Sequence, residues 1–228
     1  MSEGYNRSLK RGLFITLEGI DGSGKTTQLH RLETFLTDRG YAVTLAQEPG
    51  GTRVGREIRR LLLDAASSDL RPIPELLLYF ASRAQNVEEV IQPALREGRV
   101  VLADRFTDAT VAYQGYGREL GVPAVRHVES VACQGVQPDL TILLEIDIET
   151  GVRRALHRNA EQSDDESRME QESREFHERV AKGYAALLTA DPERIKKIDG
   201  RGSIDEVAAR IEAEVALFLS KSAAVPDG

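Results

Sequence analysis

The sequence predicts an α/β fold of three layers: a parallel sheet of about five strands with helices on both faces, completed by a small lid. Three observations point to it. Short β-prone apolar runs alternate with longer stretches of helical periodicity along the chain. A glycine-rich turn joins the first such strand to the first helix. A second polar turn, Asp104-Arg105, follows a later buried strand, at the end where open α/β sheets receive ligands.

The first strand is Phe14-Ile-Thr-Leu17, and the helix after the glycine turn carries Leu29, Leu32 and Leu36 on one face through Arg39. Gly40 caps it, and Tyr41 to Ala46 reads as the second strand. A loop, Gln47 to Arg53, precedes a helix with Ile58 and Leu61 to Leu63. Pro72 and Pro74 open a long helix to about Leu95, with a kink expected at Pro93 and a stop at Gly98. Arg99 to Asp104 forms a buried strand; helical segments follow over Thr107 to Tyr116 and Val122 to Gln134. Leu140 to Ile146 is the strongest core strand. Thr150 to Arg158 is helical, the polar run Asn159 to Glu170 interrupts it, and Glu172 to Ala190 is helical again. Ile195 to Ile198 is the last strand, and Ser203 caps a helix through Leu219. Strand order is left open.

At 228 residues, 41% hydrophobic and 29% charged, the chain suits one sizeable core. Residues 1–11 read as a flexible arm, 12–219 as a single domain with its lid at about 153–170, and 220–228 as a flexible tail. There is no apolar run long enough to span a membrane and no signal-peptide core. The lone Cys133, between apolar neighbours, reads as a buried thiol and points to the cytoplasm. A net charge of −7 argues against nucleic acid as a partner and requires any anion site to be locally basic.

The turn Gly19-Ile20-Asp21-Gly22-Ser23-Gly24-Lys25-Thr26 satisfies the phosphate-loop pattern G-x-x-x-x-G-K-[ST]. Its glycines allow successive N–H groups to converge on phosphate oxygens at the positive end of the helix, which continues through Thr27. Lys25 adds a cation for the outer phosphates, and the Thr26 hydroxyl is of the type that binds Mg²⁺. ATP with Mg²⁺ is the inferred ligand. Asp104 offers a carboxylate for a metal-bound water, and Arg105 a fork for a phosphate.

With Glu48-Pro-Gly-Gly51 upstream, Asp104-Arg-Phe-Thr-Asp-Ala-Thr-Val-Ala-Tyr113-Gln114-Gly115, and Gln137-Pro-Asp139-Leu before the core strand, the chain strongly resembles thymidylate kinase from about Phe14 to about Val207. The resemblance implies a P-loop NTPase-type fold, transfer of a phosphoryl group from ATP to dTMP, Mg²⁺ as cofactor, and a homodimer. It assigns Arg105 to the acceptor phosphate, and Asp21 to the acceptor's sugar or to water around the metal. Tyr79 is the ring that stacks on thymine, with Phe80 as the alternative, and Arg83, one turn away, reaches the base carbonyl. Arg59 matches a base-side or phosphate-side arginine. Tyr113 lies under the sugar, and Gln114 offers the thymine edge both a donor and an acceptor. Ala109 replaces the family's common serine, leaving Thr110 to supply a hydroxyl. Asp199, within Lys197-Ile-Asp199-Gly-Arg201, falls in the adenine-side loop.

The resemblance implies a basic lid residue where the phosphate loop has no arginine of its own, as here, and Arg154, Arg158 and Arg168 are the candidates, unranked. The acidic run Asp164, Asp165 and Glu166 in the same segment has no assigned role. Two rivals remain at this point. One is a kinase for another deoxynucleotide or for a nucleoside, with Glu48 as the nearest residue to a base for an unphosphorylated acceptor; the other is a P-loop regulatory ATPase.

Overall fold

The computed structural model describes residues 11–162 and 168–223. Strands β1 (Leu13–Glu18), β2 (Val43–Gln47), β3 (Val100–Asp104), β4 (Leu140–Glu145) and β5 (Ile195–Asp199) form one sheet in the order β2-β3-β1-β4-β5. Every pairing is parallel, so each connection is a crossover that lays helices over the sheet. The helices are α1 (Lys25–Thr37), α2 (Arg53–Leu63), α3 (Pro72–Asn86), α4 (Gln92–Arg96), α5 (Thr107–Thr110), α6 (Val122–Ala132), α7 (Ile148–Gln162), α8 (Arg174–Ala190) and α9 (Ile204–Ala223). The expected α/β class is observed, with β1 at the centre.

Strand alternation divides the apolar residues into two cores. Phe14, Val101 and Ala103 join Leu76 and Phe80 of α3, Val125 of α6 and Phe176 and Val180 of α8 on one face. Ile15, Leu17, Val100 and Leu102 meet Leu29, Leu32 and Leu36 of α1 and Val207, Ile211 and Val215 of α9 on the other. Each such side chain contributes about 1.5–3 kcal/mol by leaving water. Ser203 and Glu206 start α9 as a reciprocal cap: the Glu206 N–H donates to Ser203 Oγ (3.2 Å) and the Ser203 N–H to Glu206 Oε2 (2.7 Å). Cys133 is buried, as its neighbours suggested.

Three elements differ from the sequence expectation. The long helix from Pro72 has no single kink at Pro93; α3 passes through a π-wound segment, Val87–Ile91, into α4. Pro93 has no N–H to donate, and the wider winding just before it absorbs that loss. The segment after Arg105 starts as α5 and becomes π-wound over Val111–Gly117, bringing Tyr113 and Gln114 to the cleft described below. Helix α7 runs on to Gln162, so the start of the polar run is helical. Asp164, Asp165 and Glu166 lie outside the described residues. Among the described residues no helix is long and apolar enough to cross a membrane.

The sheet order places the ends of β1 and β3 side by side, Leu17 opposite Asp104, while β4 flanks β1 on its other edge. Loops from both strands therefore meet at one crevice. Behind it lies a buried polar cluster: Arg194 Nη1 and Nη2 donate to Asp108 Oδ2 (2.6 Å) and Oδ1 (3.1 Å), and Nη1 also donates to Thr141 Oγ1 (2.8 Å). Asp108 is only 2% exposed, so removing its partner strands a buried charge. Arg194→Leu should cost about 3–5 kcal/mol in urea unfolding, and adding Asp108→Asn should restore most of that loss. Equal instability of the single and double variants would show that the pair is not what the arginine satisfies.

Candidate active site

Strand β1 delivers Glu18 and then the glycine turn. Gly22 has a φ of 72°, and a Cβ there would sit 2.0 Å from the Gly151 carbonyl oxygen, so the turn closes against the start of α7 only with glycine. Lys25, 7% exposed, folds back over the loop and donates from Nζ to the carbonyl oxygens of Ile20 (2.9 Å) and Gly19 (3.2 Å) and to Ser23 Oγ (3.4 Å). Burial and then the neighbouring Arg105 charge push the Lys25 ammonium down to about 8, against the pull of Asp21, Asp104 and Glu18. Thr26 Oγ1 donates to Asp104 Oδ2 at 2.7 Å, joining the start of α1 to the end of β3.

Arg105 lies at the meeting point of these elements. Its backbone is left-handed, φ 72°, a conformation that costs a bulky residue about 1–2 kcal/mol and is held here by hydrogen bonds at both ends. The backbone N–H donates to the Leu17 carbonyl (3.0 Å). In the guanidinium, Nη1 donates to the Gly19 carbonyl (3.0 Å) and Tyr184 Oη (3.1 Å), and Nη2 to Asp21 Oδ1 (2.5 Å) and Tyr113 Oη (3.2 Å). Tyr113 Oη in turn donates to Asp21 Oδ2 (2.8 Å). Burial would raise the Asp21 carboxyl, but the Arg105 and Lys25 charges hold it well below the usual carboxylate range.

From this polar end a cleft of about 430 Å³ runs past the loop. Asp21, Gly22, Gly24, Lys25, Thr26 and Thr27 line one end; Glu48, Arg59, Tyr79, Arg83, Asp104, Arg105, Ala109, Thr110, Tyr113 and Gln114 line the rest, with Met169 and Glu170. Tyr79 and Phe80 face different ways. Tyr79 lines the cleft, whereas Phe80 is 2% exposed in the core, because adjacent helical residues point about 100° apart. Phe80 instead packs beneath Arg83, whose guanidinium lies 4.9 Å from its ring centroid.

Arg83 is itself nearly buried. Its Nε donates to Glu48 Oε2 and its Nη1 to Thr110 Oγ1 (2.8 Å), so the hydroxyl beside Ala109 serves the arginine. Asn86 Nδ2 also donates to Glu48 Oε1 (3.3 Å). Burial pushes the Glu48 carboxyl up, against the opposing charge of Arg83. Arg59 Nη1 donates to the Pro49 carbonyl (3.0 Å) at the rim.

Other expected site residues lie elsewhere. Gly19, Ile20 and Ser23 form the back of the loop, with Ile20 in the core. Arg154 is exposed on α7, and the side chain of Arg158 lies outside the described ones. Arg168 does not extend toward the phosphate loop: it is 5% exposed, with Nε donating to the Leu62 carbonyl (2.5 Å) and Nη2 to Glu75 Oε2 (2.8 Å). A guanidinium with such partners is held as a strut. Asp199 ends β5, accepts from Arg201 Nε and Nη2 (2.8 Å each), and does not line this cleft.

Sequence reasoning missed Glu18, Tyr184, Glu75 and Arg118. Glu18 is fully buried and accepts from the Phe106 N–H (2.7 Å), the Ala109 N–H (3.3 Å) and Tyr184 Oη (2.9 Å). A carboxylate closing an otherwise apolar strand was a signal for it. Tyr184 gave none, since it falls on the apolar face of an ordinary amphipathic helix, α8.

A family model described as thymidylate kinase matches residues 17–211. The chain is 47% identical over 205 residues to the thymidylate kinase of Pelobacter propionicus, covering 90% of this chain and 94% of that one. It is 50% identical over 194 residues to that of Citrifermentans bemidjiense, covering 85% and 86% respectively. The crystal structure of thymidylate kinase from Ehrlichia chaffeensis aligns with a TM-score of 0.72 at 30% identity, covering 90% of this chain and 98% of that one.

Burial, then the Asp108 charge, raises the Glu18 carboxyl from an ordinary 4.5 to about 7, against Arg105 and the Phe106 and Tyr184 hydrogen bonds. An acid whose pKa rises on folding contributes its stability below its unfolded pKa, and that contribution is lost as pH rises through the folded value. Between pH 5 and pH 8 the wild-type protein should therefore lose unfolding free energy relative to Glu18→Gln, which has no carboxyl to ionise. Parallel pH profiles in denaturant titrations would contradict this.

Proposed function

The chain belongs to the thymidylate kinase family, and on that premise we infer that it transfers the γ-phosphoryl group of ATP to dTMP, giving dTDP and ADP for dTTP synthesis. The observation that carries the reading is the Gly19 carbonyl oxygen, which accepts from both Lys25 Nζ (3.2 Å) and Arg105 Nη1 (3.0 Å). A cation suited to the donor phosphates and one suited to an acceptor phosphate thus stand on either side of a single atom.

In this reading the amides from Gly19 to Thr27 cradle the ATP phosphates with Lys25, and Arg105 grips the dTMP phosphate. Two anions are brought end to end, and their repulsion is screened before in-line attack. The acceptor oxygen is already deprotonated, so no general base is needed. Asp21 and Tyr113 hold Arg105 in place, and Tyr113 lies under the sugar. Tyr79 stacks on the thymine, while Arg83, fixed by Glu48, and Gln114 read its polar edge. Arg59 guards the rim, and Asp199 lies on the adenine side.

The Thr26 hydroxyl and the Asp104 carboxylate form an oxygen pair at the cleft wall of the kind that suits Mg²⁺, with Asp104 acting through water. Thr26 and Asp104 would hold Mg²⁺ there with ATP, and the ion would supply neutralising charge on the phosphates. We assign residues 153–170 to a lid, and with Arg168 committed to Glu75, Arg154 and Arg158 are its candidates for a transition-state cation. A homodimer and a cytoplasmic location complete the proposal; the family likeness supports the first and the lone buried thiol the second.

With labelled ATP and an acceptor series of dTMP, dUMP, dCMP, dGMP and thymidine, dTMP should react best, dUMP more slowly and thymidine not at all. Preference for thymidine, or hydrolysis indifferent to acceptor, would remove the reading. Arg105→Ala should lower kcat/KM for dTMP by well over tenfold, since a charge-assisted contact is worth about 1.5–3 kcal/mol. Full activity in that variant would mean that the acceptor phosphate binds elsewhere.

A further inference from the structure

Glu75, in the first turn of α3, is fully buried beneath the base end of the cleft. Its Oε1 accepts from Gln114 Nε2 (2.8 Å) and Arg118 Nε (3.1 Å); its Oε2 accepts from Arg118 Nη2 (3.0 Å) and Arg168 Nη2 (2.8 Å). Burial alone would raise this carboxyl, but the hydrogen bonds and charge of Arg118, with Gln114 and Arg168, hold it below the ordinary value. It is an ionised group, and an ionised carboxylate only accepts. Gln114 must therefore turn its NH₂ toward Glu75, because its carbonyl oxygen placed there would face a second acceptor. Gln114 is 1% exposed and lines the cleft, so with its NH₂ turned to Glu75 the acceptor it presents there is the carbonyl oxygen, beside at most one further N–H.

We propose that Glu75 is a specificity-determining positioning residue: by accepting Gln114 Nε2 it fixes the Gln114 carbonyl oxygen as the group shown to the base, and so selects pyrimidines whose facing ring nitrogen carries a hydrogen. The proposal rests on the cleft being the dTMP site. Thymine and uracil carry N3–H and can donate to that oxygen. Cytosine has a bare N3, which would set acceptor against acceptor in a buried place, the arrangement by which polar sites reject near-isosteres most strongly. Without Glu75 the amide could rotate to suit either base. The same carboxylate holds Arg168, so the chain just before Met169 and Glu170 is anchored to the group that orients the base reader.

The test is kcat/KM for dTMP, dUMP and dCMP in the wild type, Glu75→Gln and Glu75→Asp. In Glu75→Gln the new amide can donate to the Gln114 oxygen, so the dTMP:dCMP ratio should fall by about tenfold while dTMP:dUMP stays constant. General loosening of the pocket would lower all three together. Glu75→Asp keeps the charge for the two arginines but withdraws it from Gln114 by one methylene; it should shift the same ratio, and it serves if Glu75→Gln does not fold. In the wild type, the Gln114 side-chain NH₂ resonances, identified by their loss in Gln114→Ala, should exchange slowly with solvent. An unchanged ratio in a folded variant, or solvent-rate exchange of that NH₂, overturns the proposal. A wild-type protein inactive on all three nucleotides would sink the assignment of the cleft instead, and the NMR result would still report on the Glu75 contact.

Discussion

Two cations sharing one carbonyl oxygen are the constraint from which the rest of the site follows. Lys25 and Arg105 carry like charges, and in water nothing would hold them together. Here the Gly19 oxygen lies between them, and Asp21 faces both. The sheet order makes this possible, because β1 ends in the glycine turn, its neighbour β3 ends in Asp104, and Arg105 follows at once. The left-handed backbone at Arg105 turns the guanidinium back across the end of β1. That conformation is held because Leu17, Gly19, Asp21, Tyr113 and Tyr184 all accept from the residue.

A second layer of charge keeps this arrangement rigid. Glu18 sits beneath Arg105 and accepts from the backbone of Phe106 and Ala109, so the turn after β3 is tied to the end of β1 through a buried carboxyl. Glu48 does the equivalent further along the cleft, where it meets Arg83. The buried Glu48–Arg83 ion pair adds little net stability, since desolvation offsets much of the attraction. The contribution of both carboxylates is positional: each arginine has one orientation in which its partners are satisfied, and that orientation faces the cleft.

Much of this was legible in the sequence where the chemistry is local. The phosphate loop is contiguous and its pattern follows from what phosphate requires, so Gly19 to Thr27 could be read directly. The strands could be read because β-prone runs bounded by turns leave few alternatives. Strand order could not, since it depends on which crossovers pack, and the adjacency of Leu17 and Asp104 appears only once the sheet is assembled. Tyr79 and Phe80 were indistinguishable for a related reason: both are aromatic, and only the facing of α3 decides which ring meets the cleft. Arg168 looked like a lid cation because polar, charged stretches read as solvent-exposed. Its burial against Glu75 and the Leu62 carbonyl is a tertiary event without a local pattern.

Arg168 is thus placed differently from Arg154, which is exposed on α7. An arginine near the end of the polar run could either point into the cleft or be fixed away from it. Arg168 has its backbone N–H on the Leu63 carbonyl and its guanidinium between the Leu62 carbonyl and Glu75, so it is fixed. Met169 and Glu170, which follow it, line the cleft wall. The start of α7, by contrast, packs against the glycine turn, where the Gly22 position faces the Gly151 carbonyl. Glu75 touches Gln114 and Arg168 together, so one buried carboxylate ties the segment that holds Gln114 to the chain just before Met169.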